Sequence, residues 1–151
     1  RSDKIMAVLM KAKNSLISIN LSPSLGVLSN SSFEKFGEMT QLTHLAVRGG
    51  KLGLEKLVEN CPKLKHANFE RTEFSDTSLA MMSNNCPDLE YLNIVDCGGC
   101  HEEALERFAN PATAANLKLL CVSKYYFSPQ LLGRINKNLP NVKIVENSYS
   151  S

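Results

Sequence analysis

The sequence predicts an α/β solenoid of about six stacked units, with a parallel β-sheet on the concave side and helices on the convex side. Three observations carry this. The apolar pattern L-x-x-L-x-L recurs along the chain, its copies begin 22 to 28 residues apart, and each interval contains a stretch in which apolar residues return every three or four positions.

An opening helix is marked by Ile5, Val8, Leu9 and Ala12. The first strand then places Leu16, Ile19 and Leu21 in the three apolar slots, and Ser32 starts a second helix carrying Phe33 and Phe36. Leu42, Leu45 and Val47 form the second strand. After it, "RGGKLG" at 48–53 turns the chain toward a helix with Leu54, Leu57 and Val58, without the G-x-x-x-x-G-K-[ST] spacing of a phosphate loop. Leu64, Ala67 and Phe69 make the third strand, and Asp76 before "TSLAMM" reads as the cap of the helix with Leu79 and Met82. At helical spacing with Leu79, the Met81–Met82 pair reads as core rather than as an adaptable binding surface.

Leu89, Leu92 and Ile94 form the fourth strand, followed by a helix with Leu105 and Phe108. The fifth strand holds Leu117, Leu120 and Val122, and Ser128 ahead of Pro129 opens a helix with Leu131, Leu132 and Ile135. A shorter sixth copy has Val142 and Val145, with Asn147 in the third slot. The first slots, 16, 42, 64, 89, 117 and 142, are spaced by 26, 22, 25, 28 and 25 residues. All lie inside the range of about 20–29 that defines a leucine-rich repeat. Pro62, Pro87 and Pro140 stop the preceding helices and turn the chain into the next strand.

At 151 residues the chain suits a single domain spanning 1–151. Seventeen basic and fifteen acidic residues leave a net charge of +2 without single-sign blocks, which gives no reason to expect nucleic acid as a partner. No apolar run approaches the roughly 18 residues of a membrane span, so membrane insertion is not expected either. The first residues lack the long apolar region and cleavage site of a secretory signal. Five cysteines, an odd number, fit reduced thiols better than a disulfide framework. The short sequons at Asn20 and Asn30 do not outweigh them. An intracellular place follows as the expectation, cytoplasmic or nuclear, with a mitochondrial one also open. The chain stops just after the sixth strand at "VENSYSS", so it is expected to be a segment of a longer protein, or covered at its carboxyl end.

"DCGGCH", Asp96 to His101, has the C-x-x-C-H spacing of a haem tether and half a zinc site. The repeat supplies another reading. Cys97 is the ninth residue counted from Leu89, the slot where leucine-rich repeats put Asn or Cys to satisfy the turn, and Gly98 and Gly99 permit that turn. A thin strand-to-helix interior has no room for haem, and Cys61, Cys86 and Cys121 are placed by the repeat rather than gathered as ligands. Neither metal nor cofactor is expected. No nucleophile elbow, Ser-His-Asp order or paired carboxylate stands out, so no enzyme is expected. His44 and His66, at equivalent places in adjacent repeats, read as two surface histidines on one column of the sheet.

The unit "CPDLEYLNIVDCGGCHEEALERFA", Cys86 to Ala109, resembles the cysteine-containing leucine-rich repeats of F-box/leucine-rich-repeat proteins. "CPKLKHANFERTEFSDTSLAMM", Cys61 to Met82, resembles them too, with Thr72 in the place of the loop cysteine. The resemblance implies a protein-interaction module for substrate recognition in a cullin-type ubiquitin ligase, its adaptor held by a region outside this chain, since no F-box is present. Similar repeats without an F-box imply the alternative: a scaffold or assembly factor in a large complex unrelated to ubiquitin, such as a mitochondrial ATP-synthase-associated protein.

Alternation along a strand turns the residues between the apolar slots away from the core. Three columns follow: Ser18, His44, His66, Tyr91, Leu119, Ile144; Asn20, Ala46, Asn68, Asn93, Cys121, Glu146; and Ser22, Arg48, Glu70, Val95, Ser123, Ser148. The early repeats are small and polar, the later ones apolar, and an apolar cluster rimmed by polar groups marks a protein-binding surface. The expected partner-contacting residues are His44, Arg48, His66, Asn68, Glu70, Tyr91, Asn93, Val95, Leu119 and Cys121.

Overall fold

Six short strands lie parallel in one sheet, in chain order from first to last. The structure, a computed structural model, describes residues 2–21, 34–35, 37–48 and 54–148, without the side chains of 2, 3 and 54. Its elements are α1 (Ser2–Met10), β1 (Ser18–Asn20), β2 (His44–Ala46), α2 (Leu54–Asn60), β3 (His66–Asn68), α3 (Asp76–Asn85), β4 (Tyr91–Asn93), α4 (Glu102–Phe108), β5 (Leu119–Ser123), α5 (Pro129–Asn138) and β6 (Lys143–Asn147). Phe33, Phe36 and most of the "RGGKLG" turn lie outside the described residues. Among the described residues, no helix is long and apolar enough to cross a membrane.

The core is the set of columns that the repeat dictates. Ile19, Leu45, Ala67, Leu92 and Leu120 stack inward across the sheet, paired strand by strand, and all are buried. Leu57 and Val58, Leu79 and Met82, Leu105 and Phe108, and Leu131 and Ile135 close over them from the helices. Consecutive helices pack on one another, α2 on α3 and α3 on α4. Met81 is half-buried against this core and Met82 wholly inside it.

Two expectations about helices are corrected. In α1 the buried residue is Met6, with Leu9 and Met10 partly buried against the core; Val8 is 65% exposed, and Ala12 lies beyond the helix end. Met6, Leu9 and Met10 satisfy the i, i+3, i+4 spacing as well as the expected set does, so periodicity alone does not choose between the two faces. In α3 the cap is Ser75 rather than Asp76. Ser75 is extended, at φ −94° and ψ 168°, and its hydroxyl accepts from the Ser78 N–H, while Asp76 is the first helical residue. Ser128 caps α5 as expected, accepting from the Leu131 N–H, with Pro129 following.

The sixth strand is also out of the expected register. Leu120 pairs with Ile144 and Cys121 with Val145, so the spacing between repeats shortens by one residue at this joint. The slip moves Ile144 to the core side, where it packs on the core, and puts Lys143, Val145 and Asn147 where Ile144, Glu146 and Ser148 were expected.

Four cysteines tie each repeat to the one before it. Cys61 Sγ lies 3.5 Å from the Met39 carbonyl, Cys86 Sγ 3.6 Å from that of Val58 and Cys97 Sγ 2.8 Å from that of Phe69; the Cys100 thiol donates to the Phe74 carbonyl. Thr72 makes the equivalent bond one repeat earlier, its hydroxyl 3.4 Å from the Val47 carbonyl. Burial pushes the thiols up, Cys61 to about 11 and Cys86, Cys97 and Cys100 to about 12. At neutral pH they are thiols and donate hydrogen, a poor state for a nucleophile or metal ligand. The turn holding Cys97 needs left-handed backbone at Asp96 (φ 57°) and Gly99 (φ 97°). "CGGCH" is thus a repeat turn with His101 as the helix cap.

Candidate functional site

The sheet face turned away from the helices is built by parallel pairing, which brings equivalent residues of successive repeats side by side. Ser18 pairs with His44, His44 with His66, His66 with Tyr91 and Tyr91 with Leu119. Because the spacing between strands is close to the thickness of stacked rings, the three aromatic members stack. The ring centroids of His44 and His66 are 4.3 Å apart with an interplanar angle of 17°, and those of His66 and Tyr91 are 5.8 Å apart at 28°. The His44 Nδ1 is 2.8 Å from the Thr43 hydroxyl.

This ladder floors a shallow depression of about 240 Å³ bordered by Ser18, Asn20, Ala46 and Asn68. His44 and His66 are exposed, whereas Tyr91, Asn68, Arg48, Glu70 and Leu119 are half-buried. His66 is held below the usual histidine range by burial, then by the neighbouring charges of His44, Lys118 and Lys65, against an opposing pull from Glu90. Burial also raises the Tyr91 phenol.

Three of the ten expected contact residues offer little surface. Asn93, Val95 and Cys121 lie on this side of the sheet, yet all are buried. The cause is local. The Tyr91 hydroxyl shares side-chain hydrogen bonds with Asn93 and Cys121, while the Asn93 side-chain Oδ1 accepts from the Val95 N–H at 2.9 Å and folds the strand end over itself. The Asn68 side chain makes the same turn with Glu70, at 3.1 Å. Of the expected apolar patch at the later repeats Tyr91 and Leu119 keep surface, and the shifted β6 adds a half-buried Val145 in place of Ile144.

A second exposed cluster escaped the sequence reading. After β5, Tyr125 is 86% exposed and Tyr126 49%, beside a hollow of about 480 Å³ reaching Asp96 and Gly98. Tyr126 packs edge-on against the buried Phe127, and the Lys124 ammonium sits 5.1 Å from the Tyr125 ring centroid. The signal was "KYYF" at the position where other repeats turn with polar residues.

A larger hollow, about 620 Å³, is on the opposite side between α3 and α4. Its polar pair is already engaged: the Asp76 carboxylate accepts from the His101 N–H at 2.7 Å and meets the His101 ring at 2.6 Å. Burial would raise the Asp76 carboxyl, but these bonds outweigh it and hold it below the usual range. The contact locks the start of α4 to the start of α3, and Glu102 does the same for α5 by accepting from the Ser128 N–H at 2.6 Å. Among the described residues, no three His, Cys, Asp or Glu side chains gather as a metal site.

No family model and no curated protein sequence matches the chain. Among solved structures it is similar to a leucine-rich-repeat protein of Leptospira interrogans, with a TM-score of 0.55 and 18% identity over 90% of this chain. The chain spans 38% of the length of that protein. At this identity the likeness concerns the fold, and it agrees with the strand order and the period: the chain is a leucine-rich-repeat α/β solenoid.

Proposed function

Taking that solenoid as premise, we propose that the chain is a non-catalytic protein-interaction module that holds its partner on the concave sheet face. The observation that supports this most is the His44–His66–Tyr91 ladder, a strip of exposed and half-exposed rings on a rigid parallel sheet. Rigid aromatic groups are favoured anchors because little side-chain entropy is lost when a partner covers them.

The setting we propose is substrate recognition for a cullin-type ubiquitin ligase. It is supported by the cysteine-containing units Cys61–Met82 and Cys86–Ala109, whose thiols and Thr72 serve the repeat structure in the manner their resemblance to F-box/leucine-rich-repeat units implies.

The test is site-specific photo-crosslinking in cells, with a crosslinking amino acid placed at His44 on the concave face or at Gln130 on α5. Protein adducts specific to position 44 are expected. Their absence at 44, with adducts at 130, would move the interface to the helices. Recovery of a cullin adaptor with the full-length protein tests the ligase setting separately.

A further inference from the structure

We propose that the concave face takes an extended acidic segment of a partner protein, with carboxylates against His44, His66 and the adjoining lysines, and that this binding tightens as the pH falls from 8 to 6. The proposal rests on the concave-face reading above and specifies the partner's chemistry.

The charges on and beside the ladder carry it. Among the described residues Arg48, Lys65 and Lys143 have no ion-pair partner, while Glu90 is already engaged by Lys118 and Glu70 is left as the one unpaired acid of the columns. Of these cations Lys143 stands in the ring row, paired with Leu119 beyond Tyr91, while Arg48 lies four residues beyond His44 in the column it shares with Glu70, and Lys65 directly precedes His66 at the start of its strand. From His44 to Lys143 is four strand spacings, ~19 Å, which about six residues of extended chain would cross. Glu70 and Glu90 interrupt the positive rows, a poor match for the continuous charge of nucleic acid but compatible with a peptide of spaced carboxylates.

The pH dependence follows from the groups that face His66. His44 from β2, Lys65 beside it and Lys118 near β5 oppose its protonation, and Glu90 at the start of β4 is its near anion. Tyr91 covers its other face. A carboxylate meeting a ring nitrogen at the exposed edge of His66 would reverse that balance, so proton uptake and binding would favour each other.

The test is selection of a displayed library of random twelve-residue peptides on the purified chain at pH 6.5, followed by fluorescence anisotropy of the enriched peptides. Enriched peptides should be acidic, bind roughly fivefold tighter at pH 6 than at pH 8, and lose about tenfold in affinity with Lys65→Glu or His66→Gln, both exposed substitutions that leave melting unchanged at pH 8. Neutral or basic peptides that depend on Tyr91 would overturn the acidic assignment while leaving the concave reading standing. If no enriched peptide depends on Tyr91, His66 or Lys65, the concave reading fails with it. Displacement of the peptides by a single-stranded oligonucleotide at equal concentration would assign the face to nucleic acid and overturn the proposal.

Discussion

His44 and His66 lie flat against one another, 4.3 Å between ring centroids, because the parallel register places them side by side on β2 and β3. Two imidazoles this close do not both carry charge readily, and His66 is held below its usual range, first by burial and then by His44. A histidine depressed in the folded state binds fewer protons there than when unfolded. Its contribution is therefore present above the unfolded pKa of about 6.5 and is lost as the pH falls below it. Melting curves from pH 7.5 to 5.5 should show the native chain losing stability relative to His66→Phe, which keeps a ring in the ladder but removes the proton. Parallel losses would show that His66 is not depressed in the folded chain.

Cys97 should accept replacement by Thr, since Thr72 makes the same inter-repeat bond from the same slot. Cys97→Leu removes the thiol donor, leaving the Phe69 carbonyl only the Thr72 N–H, and forces a larger side chain into a buried turn, so it should cost about 1–3 kcal/mol. Equal denaturation midpoints for the two variants would contradict the staple.

Ser75 rather than Asp76 caps α3. Ser75→Ala should lower stability by about 1 kcal/mol. Asp76→Ala should act differently, weakening the link to α4 through His101. Amide exchange would then rise at His101 itself, with the first turn of α3 still protected, and uniform exchange changes in both variants would argue against the distinction.

Tyr125 adopts φ 66° with its side chain 86% exposed. Left-handed backbone is strained for a bulky residue and free for glycine. Tyr125→Gly should therefore raise stability by about 0.5–1 kcal/mol. A lower melting temperature would mean that the exposed ring contributes more than the strain costs.

The repeat was legible because its period, its inward columns and its helix-stop prolines all point to one architecture, which is why β1 to β5 fall in the expected register. β6 slipped because Val142, Ile144 and Val145 are all apolar, so an inward column can be drawn through either register. The ladder of His44, His66 and Tyr91 follows from strand equivalence alone. The burial of Asn93, Val95 and Cys121 does not. It depends on where the Tyr91 ring lies and on a side-chain turn at Asn93, which alternation along a strand does not encode. Tyr125 and Tyr126 project because the turn after β5 closes one residue later than in the preceding repeats, with the Tyr126 N–H rather than that of Tyr125 donating back to the strand.

The central claim is that β4 divides its neighbours between core and partner: Leu92 inward and fully buried, Tyr91 outward on the ladder. Thermal melting together with capture of the crosslinked partner for Tyr91→Ala and Leu92→Ala tests it most directly. Leu92→Ala should cost roughly 2–5 kcal/mol of stability and reduce capture only as the chain unfolds. Tyr91→Ala should melt close to the native chain yet weaken binding by about 2 kcal/mol or more. The opposite pattern, an unfolded Tyr91→Ala beside a stable Leu92→Ala, would contradict the account.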